Sequence, residues 1–185
     1  ALDAVTGGFD REDVFRCLKT GLGGITPDEC DILENYVILW DIRGSAMWLR
    51  EGDWTAGPDG YGREPTERSA ARLERVNGIR RRVCLLLEPL YRGMRTAGAA
   101  RQKAECLYGF LQEAGVPQTL EDTAKKLLKE DRPQLAEEYV QLWAIFCGVL
   151  DQFAEILGDT ELSGEEFARL LRLVLTQYSV GTIPA

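Results

Sequence analysis

Apolar residues recur at three- and four-residue steps along most of this chain, and no segment alternates with period two for long enough to predict a strand. The longest pattern joins Leu135, Tyr139, Leu142, Trp143, Phe146, Val149, Leu150, Phe153 and Leu157. It predicts a helix over about 133–157 that stops at Gly158, and the length of the recurrence marks it as the central buried element, with Trp143 and Phe146 in the core. Six further patterns carry start and stop signals. Asp10 caps a helix over about 11–20 with Val14, Phe15 and Leu18 inward. Thr26-Pro27 opens a second over about 27–40, with Asp28 and Glu29 suited to its N-terminus. Thr66 and Ser69 open a third over about 66–92, striped by Val76, Ile79, Val83, Leu86, Leu87 and Leu90 and stopped by Gly93. Shorter ones cover about 99–114 and 118–130, and Ser163 with Glu166 forms a capping box for the last, about 163–178, with Tyr178 on its apolar side.

Between residues 41 and 65 the period lapses into glycines and prolines set among Trp48, Trp54 and Tyr61. A loop longer than ~12–15 residues is functional, partly disordered or held down by its own aromatic residues. The expected fold is therefore all-α: a bundle of six to seven helices with one long glycine- and aromatic-rich loop, in a single domain over 1–185.

Composition narrows the chemistry. The chain has no histidine, which removes histidine-based acid–base catalysis and the commonest zinc ligand together. Its five cysteines, Cys17, Cys30, Cys84, Cys106 and Cys147, include no C-x-x-C pair and read as free thiols on helix faces. No apolar run approaches the ~20 residues of a membrane helix, and the N-terminus shows neither a basic region nor an apolar signal segment. A cytoplasmic protein is expected.

The net charge of −8 argues against a free-standing nucleic-acid module, yet it is unevenly spread: residues 1–60 carry −7, residues 61–110 carry +6 and residues 111–185 carry −7. The basic middle centres on Arg80-Arg81-Arg82, with Arg72, Arg75, Arg92, Arg95, Arg101 and Lys103 nearby. On a helical wheel Arg81 points away from the Val76/Val83/Leu87 stripe and its neighbours flank it. The triplet therefore fans around the helix, a geometry that suits ion pairing with the acidic ends or a subunit partner as well as phosphate contact. Trp48, Trp54 and Tyr61 either stack on unpaired bases or tie the loop to the bundle. Lys19-Thr20-Gly21 has the letters of a phosphate loop without its preceding glycines, at a helix end and not a helix start. The acids Asp28, Glu29, Asp31 and Glu34 can be written as a magnesium site, but a first turn favours acids without any metal.

The order D-V-F-R-C-L-K-T-G-L at 13–22, Leu33-Glu34-Asn35-Tyr36-Val37, and Trp40-Asp41-Ile42-Arg43-Gly44 resembles the B subunit of the bacterial AddAB-type ATP-dependent helicase/deoxyribonuclease. The likeness continues through Leu107-Tyr108-Gly109-Phe110-Leu111, Gln141-Leu142-Trp143, Leu150-Asp151-Gln152 and Gly181-Thr182-Ile183-Pro184. The resemblance implies an interior accessory piece of a helicase-like region that has lost motor function, working with an A-subunit motor on broken DNA ends, in Chi recognition and in recombination. It implies that ATP, magnesium and an iron–sulfur cluster belong to the parent and not to this piece, which needs no catalytic, cofactor or metal residues of its own. It also brings in Arg43, as a cap of the second helix or a residue facing DNA. The candidate nucleic-acid contacts are thus Arg80, Arg81, Arg82, Arg43, Lys19 and Trp48. Two rivals stand beside this expectation: an independent all-helical protein–protein adaptor, and a magnesium-dependent enzyme built on the acids between Asp28 and Glu34.

Overall fold

The structure, a computed structural model, describes residues 1–177; Tyr178 and the Gly181–Pro184 motif lie outside the described residues. Among those residues the chain forms nine helices and no strand, with one isolated bridge between Ala99 and Glu161. It divides into two compact units, the first Ala1–Tyr91 and the second from Arg92 onward. The sequence offers no linker at that point because the division falls inside a continuous helix.

The first unit holds α1 (Leu2–Thr6), α2 (Arg11–Leu18), α3 (Pro27–Leu39), α4 (Ser45–Trp48) and most of α5 (Glu67–Thr96). Its helix starts follow the sequence signals. The Asp10 carboxylate accepts from the Glu12 backbone N–H at 2.9 Å, and Thr26 makes a reciprocal capping box with Glu29 ahead of Pro27. At α5 the Thr66 and Ser69 hydroxyls each accept from the other's backbone N–H. The five-residue α1 was missed, being too short for a period to show, although Ala4 and Val5 are buried. The core gathers around Trp48, whose ring lies 6.3 Å from Phe9, 6.2 Å from Phe15 and 5.5 Å from Trp54.

The stretch 41–65 is packed down by its aromatic residues and contains α4. Trp54 stacks on Tyr36 at 5.4 Å, and its indole N–H donates to the Met47 carbonyl at 3.1 Å. Asn77 on α5 accepts from the Trp54 backbone N–H and donates to its carbonyl, both at 2.9 Å. Tyr36 and Trp40 donate to the carbonyls of Ala56 and Gly57. Irregular backbone has no helical partner for its polar groups, so side chains from α3 and α5 supply one.

The second unit contains the end of α5, then α6 (Ala100–Glu113), α7 (Val116–Lys129), α8 (Pro133–Leu157) and α9 (Gly164–Leu175). Gly93 does not stop α5, which runs on to Thr96. A Cβ at Gly93 would sit 2.6 Å from Cys106 Sγ, so this glycine serves close approach to α6 and not termination. α7 starts at Val116, two residues earlier than expected and with Pro117 in its first turn, because left-handed Gly115 reverses the chain directly into it. The capping box at Ser163 and Glu166 opens α9 as expected.

The largest departure concerns α8. It packs against α6, α7 and α9, but its buried residues are only Ala136, Val149, Leu150 and Phe153. Trp143 and Phe146 are half-buried, while Val140 is 62% and Ile156 79% exposed. An apolar surface that continues around the helix needs neighbours on all sides, and this unit supplies them on part of the circumference. By length and composition α8 is also apolar enough to cross a membrane, contrary to the expectation that no run comes near that length.

Candidate nucleic-acid interface

The basic triplet of α5 sits where that helix meets the loop, and its three members have different surroundings. Arg80 is 4% exposed. Its Nε and Nη2 donate to the Trp48 carbonyl at 2.9 and 2.7 Å, Nη2 also to Arg50 O at 2.8 Å and Nη1 to Gly52 O at 2.7 Å, with the guanidinium 5.0 Å from the Trp54 ring centroid. A planar fork of donors matches three diverging carbonyls as a lysine could not. Arg80 is thereby spent on the loop, and no donor set of that kind is left for a phosphate.

Arg81 is exposed and bridges Asp53 at 2.7 Å and Glu74 at 2.6 Å; the bond to Glu74 first, then that to Asp53, raises its pKa. Arg82 pairs with Glu29, whose carboxyl is held below the ordinary range by the Thr26 backbone N–H and then by Arg82 itself. Lys19 pairs with Glu34 at 2.7 Å, which raises its pKa, and Arg43 pairs with Asp41 at 2.7 Å. These four remain solvent-accessible, each already paired with a carboxylate. Trp48 is fully buried and offers no ring face to a base; its Nε1 lacks a hydrogen-bond partner among the described residues. Of the other loop aromatics Trp54 is buried, while Tyr61 is 87% exposed with its ring 4.6 Å from Trp40.

Two cations outside the sequence-derived candidates are better placed. Arg68 and Arg75 are exposed, and neither has an ion pair or hydrogen bond among the described residues. The signal was the spacing Arg68, Arg72, Arg75, which puts all three on one face of a helix, whereas the consecutive triplet drew attention by density alone.

Among the described residues no group of three His, Cys, Asp or Glu comes together. Cys84 donates its S–H to the Trp48 carbonyl at 3.3 Å, and burial pushes its pKa to about 11. Burial likewise raises the thiols of Cys30 and Cys147, so none of the three is poised as a ligand or nucleophile. Of the acids of α3, Glu29 is engaged in its cap and in the pair to Arg82, and Glu34 in the pair to Lys19.

No family model matches the chain. Among curated proteins it is 34% identical over 189 residues to the ATP-dependent helicase/deoxyribonuclease B subunit of Clostridium acetobutylicum, covering all of this chain and 16% of that protein. The B subunit of the same name from Acetivibrio thermocellus is 36% identical over 185 residues, with the same coverages. That of Caldanaerobacter subterraneus subsp. tengcongensis is 34% identical over 173 residues, 94% of this chain and 15% of the relative. The chain thus spans about 16% of the length of the relatives it matches, and over that span it belongs to the family of ATP-dependent helicase/deoxyribonuclease B subunits.

Proposed function

We propose that these 185 residues are a non-catalytic helical accessory segment of a helicase–nuclease B subunit, acting in the cytoplasm in DNA double-strand-break repair and recombination. The observation that carries this reading is a likeness to proteins of that name running over the whole chain. In this role the segment supports the DNA path and the contact with the partner A subunit. ATP, magnesium and iron–sulfur chemistry are carried by other parts of the whole protein.

A division of labour follows from the two units. The first presents cations along α5 and suits a polyanion. The second leaves apolar residues of α8 exposed, Val140 and Ile156 among them, and suits protein. Those exposed apolar residues are what favours the second reading, a protein–protein adaptor.

The test combines turnover and binding. The chain, given ATP, magnesium and end-labelled DNA, is expected neither to hydrolyse nucleotide nor to cut either strand. Fluorescence anisotropy at about 50 and 200 mM salt is expected to show weak DNA binding that declines steeply with salt. Turnover or cleavage by the purified chain overturns the non-catalytic assignment. Absence of binding to single-stranded and duplex DNA at the lower salt concentration overturns the DNA assignment and leaves the adaptor.

A further inference from the structure

We infer that a groove between α3 and α5 in the first unit, edged by Arg68, Arg72 and Arg75, is a binding site for the phosphodiester backbone of single-stranded DNA. The inference rests on the DNA reading above and adds a place and a strand type to it.

The groove has a volume of about 460 Å³ and is lined by Ile32, Asn35, Tyr36 and Leu39 from α3, Pro58 from the loop, and Arg68, Arg72, Arg75 and Val76 from α5. No carboxylate lines it. In a chain with 30 acids against 22 bases that exclusion is informative, since the neighbouring basic positions Arg81, Arg82 and Lys19 all carry acidic partners. Arg72 bonds Asp59 at 2.6 Å from outside the groove, which holds the middle guanidinium in place. Arg68 and Arg75 on either side are exposed and have no partner among the described residues.

Spacing selects the ligand. With a rise of 1.5 Å per residue, positions 68, 72 and 75 span about 10 Å along α5, the reach of about two successive phosphates of one strand. Guanidinium forks at such intervals match successive phosphate oxygens. The floor of Ile32, Leu39, Pro58 and Val76 is apolar, and Leu39 is exposed, so a base or sugar laid there covers hydrocarbon. A groove of this size seats a ligand on the order of one or two nucleotides and not the width of a duplex. Asn35 at the edge adds an amide able to donate or accept, a contact that tolerates any base.

Titration of the chain into a labelled oligothymidylate of about twelve nucleotides, at several salt concentrations, tests the proposal. Arg68→Gln/Arg75→Gln is expected to weaken binding about tenfold or more at about 50 mM salt and to lower the slope of log K against log salt by about 1.4, two phosphates at ~0.7 each. Arg68→Lys/Arg75→Lys keeps the charges and is expected to restore most of the slope. Arg81→Gln/Arg82→Gln, which removes the same charge outside the groove, is expected to change affinity less than about twofold. Arg68 and Arg75 are exposed, so unchanged circular dichroism and melting should accompany their variants. Wild-type binding with an unaltered slope in the Arg68→Gln/Arg75→Gln variant overturns the groove and leaves the DNA reading intact. An equal loss in Arg81→Gln/Arg82→Gln also overturns it, because binding would then follow net charge. Failure of the wild type to bind any DNA overturns both.

Discussion

Among the described residues each unit buries one cation, and in each it faces carbonyls and not a carboxylate. In the first, Arg80 donates to Trp48, Arg50 and Gly52 and fastens an irregular loop. In the second, Lys103, 1% exposed, donates to the carbonyls of Met94 and Ala97 and closes the C-terminal turn of α5; burial lowers its pKa. The sites differ in what they hold. Arg80 organises a stretch with few internal hydrogen bonds, beside a core in which Phe9, Phe15 and Trp54 surround Trp48. Lys103 finishes a helix that already satisfies most of its own backbone. The aromatic residues follow the same division: the loop buries Trp48 and Trp54, whereas regular α8 leaves Trp143 and Phe146 half out. Regular secondary structure and burial are therefore separate properties here, since a helix satisfies its polar groups alone but cannot cover its own apolar circumference.

The contrast breaks most sharply at the tryptophans. Trp48→Ala is expected to cost about 3–5 kcal/mol of stability, as deletion of a buried aromatic does, against about 1–2 kcal/mol for half-buried Trp143→Ala. Urea titrations of the two variants read the difference, and equal losses would mean that α8 is covered as completely as the loop. Next, Arg80→Met strands three carbonyls and is expected to cost about 3–4 kcal/mol, whereas Lys103→Met strands two, relieves a buried charge and costs about 1–2 kcal/mol. Arg80→Lys should recover little, because an ammonium cannot span the same acceptors.

A smaller effect sharpens the account of the first unit through pH. The folded-state pKa of Glu29 lies below its ordinary value of 4.5, held down first by the Thr26 N–H and then by Arg82. Its contribution is therefore fully present above that ordinary value and is lost as pH falls through the folded value. The stability gap between wild type and Glu29→Gln should be constant near neutrality and close under acid; a gap that persists there would remove the carboxylate from the account. The least change is chemical. With its pKa near 11 and its sulfur against the loop, Cys84 has about one thiolate in a thousand at about pH 8 and should be among the slowest cysteines to react with iodoacetamide, as mass spectrometry would show. Loosening the loop through Arg80→Met should speed that reaction severalfold.

Much of the fold is legible in the sequence. Helical period, the caps at Asp10, Thr26 and Ser163, and Pro27 at a first turn are local signals, settled by residues within one turn of each other. Locality is why they located helices to within a few residues, and why α1, too brief to show a period, escaped. The candidate interface is less legible. Arg80 through Arg82 are neighbours in the chain with nearly equal intrinsic chemistry, and what separates them is whether a carbonyl, a carboxylate or water stands opposite.

The chain by itself thus determined where seven of the helices lie, to within a few residues, and that its positive charge is concentrated in the middle. Only the tertiary structure decided that Arg80 is internal while Arg68 and Arg75 edge a groove, that Gly93 serves packing, and that α8 is covered on part of its circumference. The physical reason is that hydrogen bonding and dihedral preference act between near neighbours in sequence. Burial and ion pairing depend on residues tens of positions away, such as Trp48 for Arg80 and Glu29 for Arg82.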